Sequence, residues 1–364
     1  MGKVAIFLSS LEGGGAERVM LNLAEGFCKN GLGVDLILVK REGSYLTQIP
    51  ANVKVINLEK KRLLQSLPAL VNYLKKERPL AVLSALEDTN LVALGAKFFS
   101  GVSTQVVVTV HNTLSQESRN ATSLKRKIIP YVVSWFYPWA DAVIAVSQGV
   151  AKDLTKLGLR SRNLKVIYNP IVTPQMKAKI QQPPEHSWLA PGEPPVILGV
   201  GRLTKQKDFS TLIEAFAKVR QQQPARLIIL GEGAERLQLE TLAQKLGVAK
   251  DLDFPGFVDN PYAYMAGAAV LVLSSAWEGF GNVLVESMLA GTPVVSTNCE
   301  SGPAEILANG KYGKLVPVGD SEAMAKAIAQ TLAESPDSKL LQKRALDFSL
   351  EKALSQYQQL LPLN

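Results

Sequence analysis

The sequence predicts an α/β protein built from two doubly wound parallel-sheet domains. Three observations predict it. At about 150 residues per domain, a chain of 364 residues divides into roughly two. Short β-branched runs alternate with helical patterns from one end to the other, which argues for parallel βαβ units and against an antiparallel sandwich. Near the middle, Pro170, Pro174, Pro183, Pro184, Pro191, Pro194 and Pro195 break every periodicity, as a linker does.

In order along the first half, the strand-like runs are Val4–Leu8, Val34–Val39, Val53–Asn57, Ala81–Leu83, Val106–Val110, Ala142–Val146 and Lys165–Tyr168. Between the first two, Val19, Met20, Leu23, Ala24 and Phe27 recur at helical spacing, and Gly31 and Gly33 end the helix. A second series follows the prolines: Val196–Val200, Leu227–Leu230, Asp253–Phe254, Ala269–Leu273, Val294–Ser296 and Leu315–Val318. The expected divisions are a domain over 1–169, a linker over 170–195, a second domain over 196–336, and a terminal helical stretch over 337–364 that packs back on the first domain. Two such halves are expected to face each other across a cleft, with ligands off the carboxyl ends of the strands.

Hydrophobic residues make up 47% of the chain and charged residues 20%, close to globular averages, which excludes wholesale disorder. Two cysteines, Cys28 and Cys299, without CxxC or Cys/His spacing, exclude a disulfide scaffold and a zinc site. Met1-Gly2-Lys3 leads into Val4–Leu8, too short for a signal peptide's apolar region, and no run of about 18 apolar residues occurs. A cytoplasmic location is therefore expected, with peripheral contact at the inner membrane face left open.

The net charge of +8 is unevenly placed. Residues 1–170 hold 22 Lys and Arg against 12 Asp and Glu, whereas 171–364 hold 18 against 20. Its clusters are Lys60-Lys61-Arg62, Lys75-Lys76 with Arg78, and Lys125-Arg126-Lys127. A solvated helix face accounts for such clusters; the functional alternative is contact with anionic lipid or another anionic acceptor.

Three motifs and one histidine carry candidate chemistry. Glu12-Gly13-Gly14-Gly15-Ala16-Glu17 leaves the first strand and opens a helix, where Gly14 and Gly15 let backbone N–H groups approach an anion. The loop lacks G-x-G-x-x-G spacing, and Asp35 begins the second strand where a ribose acid would end it, so the nicotinamide reading fails. Gly201-Arg202-Leu-Thr-Lys-Gln-Lys207 follows a strand end, and its Arg and Lys can neutralise a leaving diphosphate without a metal. After Ala269–Leu273 comes Ser274-Ser-Ala-Trp-Glu278-Gly279-Phe280-Gly281-Asn282-Val283-Leu-Val-Glu286, with Glu278 in a glycine-rich loop and Asn282 expected to cap the helix carrying Glu286. One carboxylate can then bind sugar hydroxyls and the other ribose hydroxyls, with the helix start toward phosphate. His111, one of two histidines, ends the strand Val106–Val110.

Glu278 through Glu286 forms an E-x7-E element. Preceded along the chain by Gly13-Gly14-Gly15-Ala16-Glu17, Val166-Ile167-Tyr168-Asn169-Pro170, Gly201-Arg202…Lys207 and Gly256-Phe257-Val258, which cover essentially the whole chain in the right order, it resembles retaining glycosyltransferase family 4, of the GT-B fold. The resemblance implies transfer of a hexosyl-type sugar from a nucleotide donor, UDP in most of that family, onto a glycan or lipid-linked acceptor. It implies that Arg202 and Lys207 hold the diphosphate, Glu286 the ribose and Glu278 the sugar, while the backbone at Phe257 and Val258 receives the base. The helix start at Phe280, Gly281, Asn282 and Val283 completes the donor contacts, and His111 matches a histidine near the reacting sugar. The first domain then takes the acceptor and the second the donor, with no cofactor and no metal.

Asp251-Leu-Asp253 spells the D-x-D signature of metal-dependent transferases, but it precedes a short strand in the second half and is not expected to bind metal. His186 in the proline-rich stretch receives no role. A sugar-nucleotide epimerase or hydrolase on the same architecture would need more acid–base groups than two histidines supply. A non-catalytic nucleotide-binding module would leave the glutamate pair unexplained, and no aromatic–basic interleaving points to nucleic acid.

Overall fold

The computed structural model describes residues 2–159, 162–334 and 337–362. Met1, Arg160, Ser161, Ser335, Pro336, Leu363 and Asn364, which fall inside the expected ranges 1–169, 196–336 and 337–364, lie outside the described residues. The chain forms two compact units, Met1–Ile171 with Leu350–Asn364, and Val172–Ser349.

The first unit is built on seven strands: β1 Lys3–Leu8, β2 Gly33–Leu38, β3 Lys54–Asn57, β4 Ala81–Ala85, β5 Gln105–Val110, β6 Ala142–Ala145 and β7 Leu164–Val166. They pair in the order β3-β2-β1-β4-β5-β6-β7, all parallel. Every residue of β4 and of β6 is buried, as it must be in a parallel sheet covered on both faces. The connecting helices are α1 Gly15–Lys29, α2 Leu67–Glu77, α3 Glu87–Ser100, α4 Leu114–Arg119, α5 Leu124–Phe136 and α6 Gln148–Lys156.

α1 shows how the sequence specifies an element. Gly13 turns the chain at φ 107°, a conformation open to glycine, and Gly14 sits extended at the N-cap. The Glu17 carboxylate accepts the Gly14 N–H, the reaching-back half of a capping box. The apolar stripe Val19, Met20, Leu23, Ala24 and Phe27 is fully buried.

The second unit opens with α7 Pro174–Ile180 and continues through β8 Val196–Val200, α8 Phe209–Gln222, β9 Arg226–Leu230, α9 Arg236–Lys245, β10 Leu252–Gly256, α10 Pro261–Gly267 and β11 Val270–Leu273. α11 Asn282–Ala290, β12 Val294–Thr297, α12 Pro303–Ile306, β13 Lys314–Val316, α13 Ser321–Ala333 and α14 Ser338–Ala345 complete it. Its six strands run β10-β9-β8-β11-β12-β13, again all parallel. The two sheets thus repeat one doubly wound plan, in which strand order reverses beside the first strand.

Glycines close the carboxyl ends of three neighbouring strands. Gly201 N–H donates to Leu230 O at 2.9 Å and Gly231 N–H to Gly256 O at 2.8 Å. A Cβ on Gly231 would lie 2.0 Å from Gly201 O, so these backbones approach closely only without side chains. Gly201 and Gly231 therefore stitch neighbouring strand ends together.

Of the stretch 170–195, residues 172–195 belong to the second unit. Thr173 Oγ1 caps α7 by accepting Met176 N–H at 3.2 Å, and Asn260 Nδ2 donates to Lys179 O at 3.0 Å. His186 Nδ1 accepts Trp188 N–H at 3.1 Å, which leaves Nε2 to carry the proton toward Asp253 Oδ2 at 2.9 Å. A histidine without a visible partner in the sequence is a staple in the fold.

The terminal helical stretch is two helices. α14 stays in the second unit, where Ser338 Oγ donates to Gly291 O at 2.8 Å, while α15 Leu350–Gln358 packs on α1 in the first. Gly26 makes room for it, since a Cβ there would meet Leu354 Cδ1 at 2.3 Å. Extended backbone at Ser349, bridged to Val172, separates the two helices.

Candidate active site

In the second unit, two loops from distant parts of the sequence meet at the carboxyl ends of β8 and β11. Ser274 Oγ donates to Lys207 O at 2.7 Å, Ala276 N–H to Gln206 O at 2.8 Å, and Gln206 Nε2 to Trp277 O at 3.0 Å. Across this seam the Lys207 ammonium pairs with Glu278 Oε1, which also accepts Ser275 Oγ at 2.7 Å. The Lys207 stem lies over Gly201, where a Cβ would come within 3.2 Å of it. A cation and a carboxylate 71 residues apart are thus locked at one strand edge.

Glu278 is 6% exposed and Glu286 9%, so each is held among protein atoms and not on a solvated face. Burying an ion requires a partner and further hydrogen bonds, which Lys207 and Ser275 supply to Glu278. Cys299, behind the loop, has its thiol pushed up to about 12 by burial and by the Glu278 charge, so it stays protonated and unreactive. Arg202 is exposed, and no acceptor among the described residues pairs with its guanidinium.

α11 begins at Asn282, with Gly281 at the N-cap in a left-handed conformation, φ 96°. Asn282 therefore heads the helix instead of capping it, because the turn needs a residue that tolerates positive φ at position 281. Leu284 N–H returns to Gly281 O at 3.0 Å, and Asn282 and Val283 form the first turn of the helix. Leu284, Val285, Met288 and Leu289 form the buried face. Phe280 is a core side chain, edge-on to Phe348 at 5.4 Å, so only its backbone faces the loop. Phe257 and Val258 follow β10, and the Phe257 ring is 49% exposed.

The D-x-D carboxylates serve separate partners: Asp251 Oδ2 accepts Arg220 Nε at 2.8 Å, and Asp253 Oδ2 accepts His186 Nε2. Among the described residues no three His, Cys, Asp or Glu side chains gather as metal ligands do.

In the first unit, His111 follows β5 directly, and its Nε2 lies 2.9 Å from Thr109 Oγ1. The Thr109 hydroxyl spends its own proton on Ser84 O at 2.8 Å, so it accepts from His111, and the ring carries its proton on Nε2. Burial holds the pKa of His111 down, at about 4, leaving a neutral ring whose Nδ1 is an acceptor. Asn90 anchors this corner, accepting Ser84 Oγ at 2.7 Å and donating to Thr109 O and Tyr137 OH at 2.9 and 2.8 Å. Gly14 and Gly15 occupy the carboxyl end of β1, where the Gly14 N–H is already satisfied by Glu17.

Several residues escape sequence reasoning. Ser275 and Gln206 lie inside the motifs but carry no spacing signal. Glu87 opens α3 after Leu86, which is held at φ 72°, and burial together with Glu117 pushes its carboxyl up to about 7. Arg126 lies 3.4 Å from Glu87 and 3.3 Å from Glu117, and Asn112 beside His111 donates to Glu117 at 3.3 Å. Their only mark in the sequence is the basic cluster, whose Arg126 turns inward and whose Lys125 pairs with Asp88 at 2.7 Å.

Comparison with known proteins bears on both units. The family described as Glycosyltransferase Family 4 matches residues 13–174, and that described as Glycosyl transferases group 1 matches residues 183–347. The N-acetylgalactosamine-N,N'-diacetylbacillosaminyl-diphospho-undecaprenol 4-alpha-N-acetylgalactosaminyltransferase of Campylobacter jejuni is 31% identical over 359 residues, covering 95% of this chain and 94% of that one. The lipopolysaccharide core biosynthesis glycosyltransferase LpsE of Rhizobium meliloti is 35% identical over 230 residues, 61% of this chain and 64% of its own. Among solved structures, Anabaena Alr3699/HepE in complex with UDP-glucose superposes with a TM-score of 0.79 at 23% identity, covering 98% of each chain. With both units matched in order and a relative aligned over nearly its whole length, the chain belongs to glycosyltransferase family 4 and is a transferase of the two-domain GT-B fold.

Proposed function

We propose that this enzyme transfers a hexosyl-type sugar from a UDP-linked donor to a lipid-linked or glycolipid acceptor, with retention at the anomeric carbon and without a metal. The observation that carries this reading is the seam between the Lys207 loop and the Glu278 loop, which sets a cation and a buried carboxylate at one strand edge, just ahead of the helix that carries Glu286. A nucleotide sugar offers complementary chemistry: a diphosphate for Arg202, Lys207 and the N–H groups at Asn282 and Val283, ribose hydroxyls for Glu286, and sugar hydroxyls for Glu278. Phe257 and Val258 receive the base through their backbone. Relatives named for lipopolysaccharide and undecaprenol-linked intermediates support the acceptor class, and the UDP-glucose complex of a similar fold supports the donor.

Bond cleavage leaves negative charge on the diphosphate, which Arg202 and Lys207 neutralise. The acceptor oxygen attacks from the face the diphosphate leaves, and a phosphate oxygen takes its proton. Lys207 moves part of its charge from Glu278 to the phosphate, and Ser275 keeps Glu278 fixed for the sugar. His111, neutral with an open Nδ1, accepts from a sugar hydroxyl. The reaction is placed in the cytoplasm, at the inner membrane face.

The test is to incubate UDP-sugars with an undecaprenyl-diphosphate-linked acceptor in EDTA and read the product's anomeric configuration by NMR. Retained configuration with undiminished rate is expected. An inverted product, activity restored only by manganese or magnesium, or donor turnover without acceptor each overturns the reading.

A further inference from the structure

Fifteen large hydrophobic side chains stand exposed among the described residues, and eight of them lie between residues 98 and 139, in the first unit. Exposed hydrophobics scattered singly need no explanation, but a contiguous set does. On α5, Leu124, Ile128, Tyr131 and Trp135 recur at helical spacing and are 72%, 45%, 72% and 79% exposed. The opposite face, with Ile129, Pro130 and Val133, is buried, so α5 is already seated and still presents a second apolar stripe to solvent. Beside it Phe98, Phe99, Phe136 and Trp139 form a ring cluster, with Phe98 5.3 Å from Phe99 and 6.0 Å from Trp139, and Trp139 5.0 Å from Phe136.

We infer that this aromatic face of α3 and α5 docks the enzyme onto an anionic lipid bilayer by inserting side chains at headgroup depth. Tyr and Trp pair an apolar body with a polar tip, the chemistry of that depth, and no helix among the described residues is long and apolar enough to cross a membrane. Charge complementarity selects lipid over a second copy of the chain. Lys125 and Arg126 of α5 are paired with Asp88, Glu87 and Glu117, but the exposed Lys127 has no such partner among the described residues. α5 carries no acid, and the half it belongs to has 22 cations against 12 acids, so two such faces repel each other while anionic headgroups attract them. This face differs from the purely basic clusters Lys60-Lys61-Arg62 and Lys75-Lys76-Arg78, whose attraction salt would screen. The inference rests on the lipid-linked acceptor proposed above for its purpose, not for its test.

The protein is mixed with vesicles of phosphatidylglycerol and phosphatidylcholine, and with vesicles of phosphatidylcholine alone. Binding is read by co-sedimentation and by quenching of tryptophan emission with brominated acyl chains. The expected result is binding to the anionic vesicles that weakens but persists at high salt, with quenching. The double variant Tyr131→Ser/Trp135→Ser, which leaves the buried face of α5 intact, should weaken it by roughly tenfold or more, from the apolar area no longer removed from water. Its donor-induced thermal shift should match the parent, which reports folding and the donor site separately. Binding that the double variant retains in full, or that high salt abolishes without quenching, overturns insertion. A parent that dimerises, a variant that does not, and no vesicle binding by either would assign the face to self-association instead. None of these readouts depends on sugar transfer, so failure of the proposed reaction and failure of this inference are told apart.

Discussion

The carboxyl edges of the two sheets share a topology and differ in how they handle charge. On the first unit's edge, titratable groups are held toward their neutral forms: His111 titrates at about 4, and Glu87 is pushed up to about 7. Its polar side chains Ser84, Asn90 and Thr109 bond one another or the backbone. On the second unit's edge, a buried carboxylate and a lysine remain an ion pair, with an exposed arginine nearby. A repeated fold does not repeat a site; the loops decide whether an edge holds its polar groups neutral or charged.

The largest effect should come from splitting the ion pair. Lys207→Met leaves the Glu278 carboxylate buried without its cation, and breaking such a pair costs on the order of 3–5 kcal/mol. Glu278→Ala should lower turnover by roughly two to three orders of magnitude, as losing one positioned polar group in a dry site does. Glu278→Gln keeps part of the hydrogen bonding, including that from Ser275, and should retain more activity than Glu278→Ala. Kinetics of the three variants, with urea unfolding for the lysine variant, read this out. Equal activity of Gln and Ala at position 278 would remove the sugar-orienting role.

The first edge should answer to pH instead. Glu87 titrates at about 7 in the fold against an ordinary 4.5, so its stabilising term is present below 4.5 and is lost as pH rises through 7. His111 has the opposite sign: its pKa falls from 6.5 to about 4, so its term is present above 6.5 and is lost as pH falls through 4. The two slopes oppose each other between them. Glu87→Gln removes one, so the variant should gain on the order of 3 kcal/mol over the parent at pH 8 and little at pH 4.5. Hydrogen exchange of β4 and β5 amides at both values measures it, and equal differences at the two would mean that Glu87 is charged in both.

Much of this was legible in the sequence where a period or a strand end carried it. β1, β2, β5 and β8 fall within a residue or two of their apolar runs, and the Lys207 and Glu278 loops leave β8 and β11 as their motifs required. What escaped was long-range and polar. Glu87 and Arg126 are 39 residues apart, and His186 and Asp253 67, and no periodicity links such pairs. α7 hid behind prolines because Pro174 stands at its first position, where a missing N–H costs nothing. The split of the terminal stretch into α14 and α15 went unseen because Leu346–Phe348 keeps a helical look while Ser349 is extended.

The smallest effect falls to Glu286, and it sharpens the contrast within the second edge. Glu278 is proposed to act on the sugar, which changes shape and charge as its bond breaks, whereas Glu286 is proposed to hold the ribose, which barely changes. A contact equal in ground and transition states contributes to donor affinity and not to turnover. Glu286→Ala should therefore weaken donor binding by roughly tenfold to a hundredfold, the worth of one or two hydrogen bonds to a charged group, with turnover at saturating donor close to the parent's. Glu286 lies one helical turn beyond Asn282, on a helix whose other face is core, so truncating it leaves the helix start in place. Isothermal titration with UDP-sugar and steady-state kinetics, run on the same preparations, separate the two quantities. A fall in turnover with unchanged affinity would exchange the roles of Glu278 and Glu286 and place the sugar on the helix side of the loop.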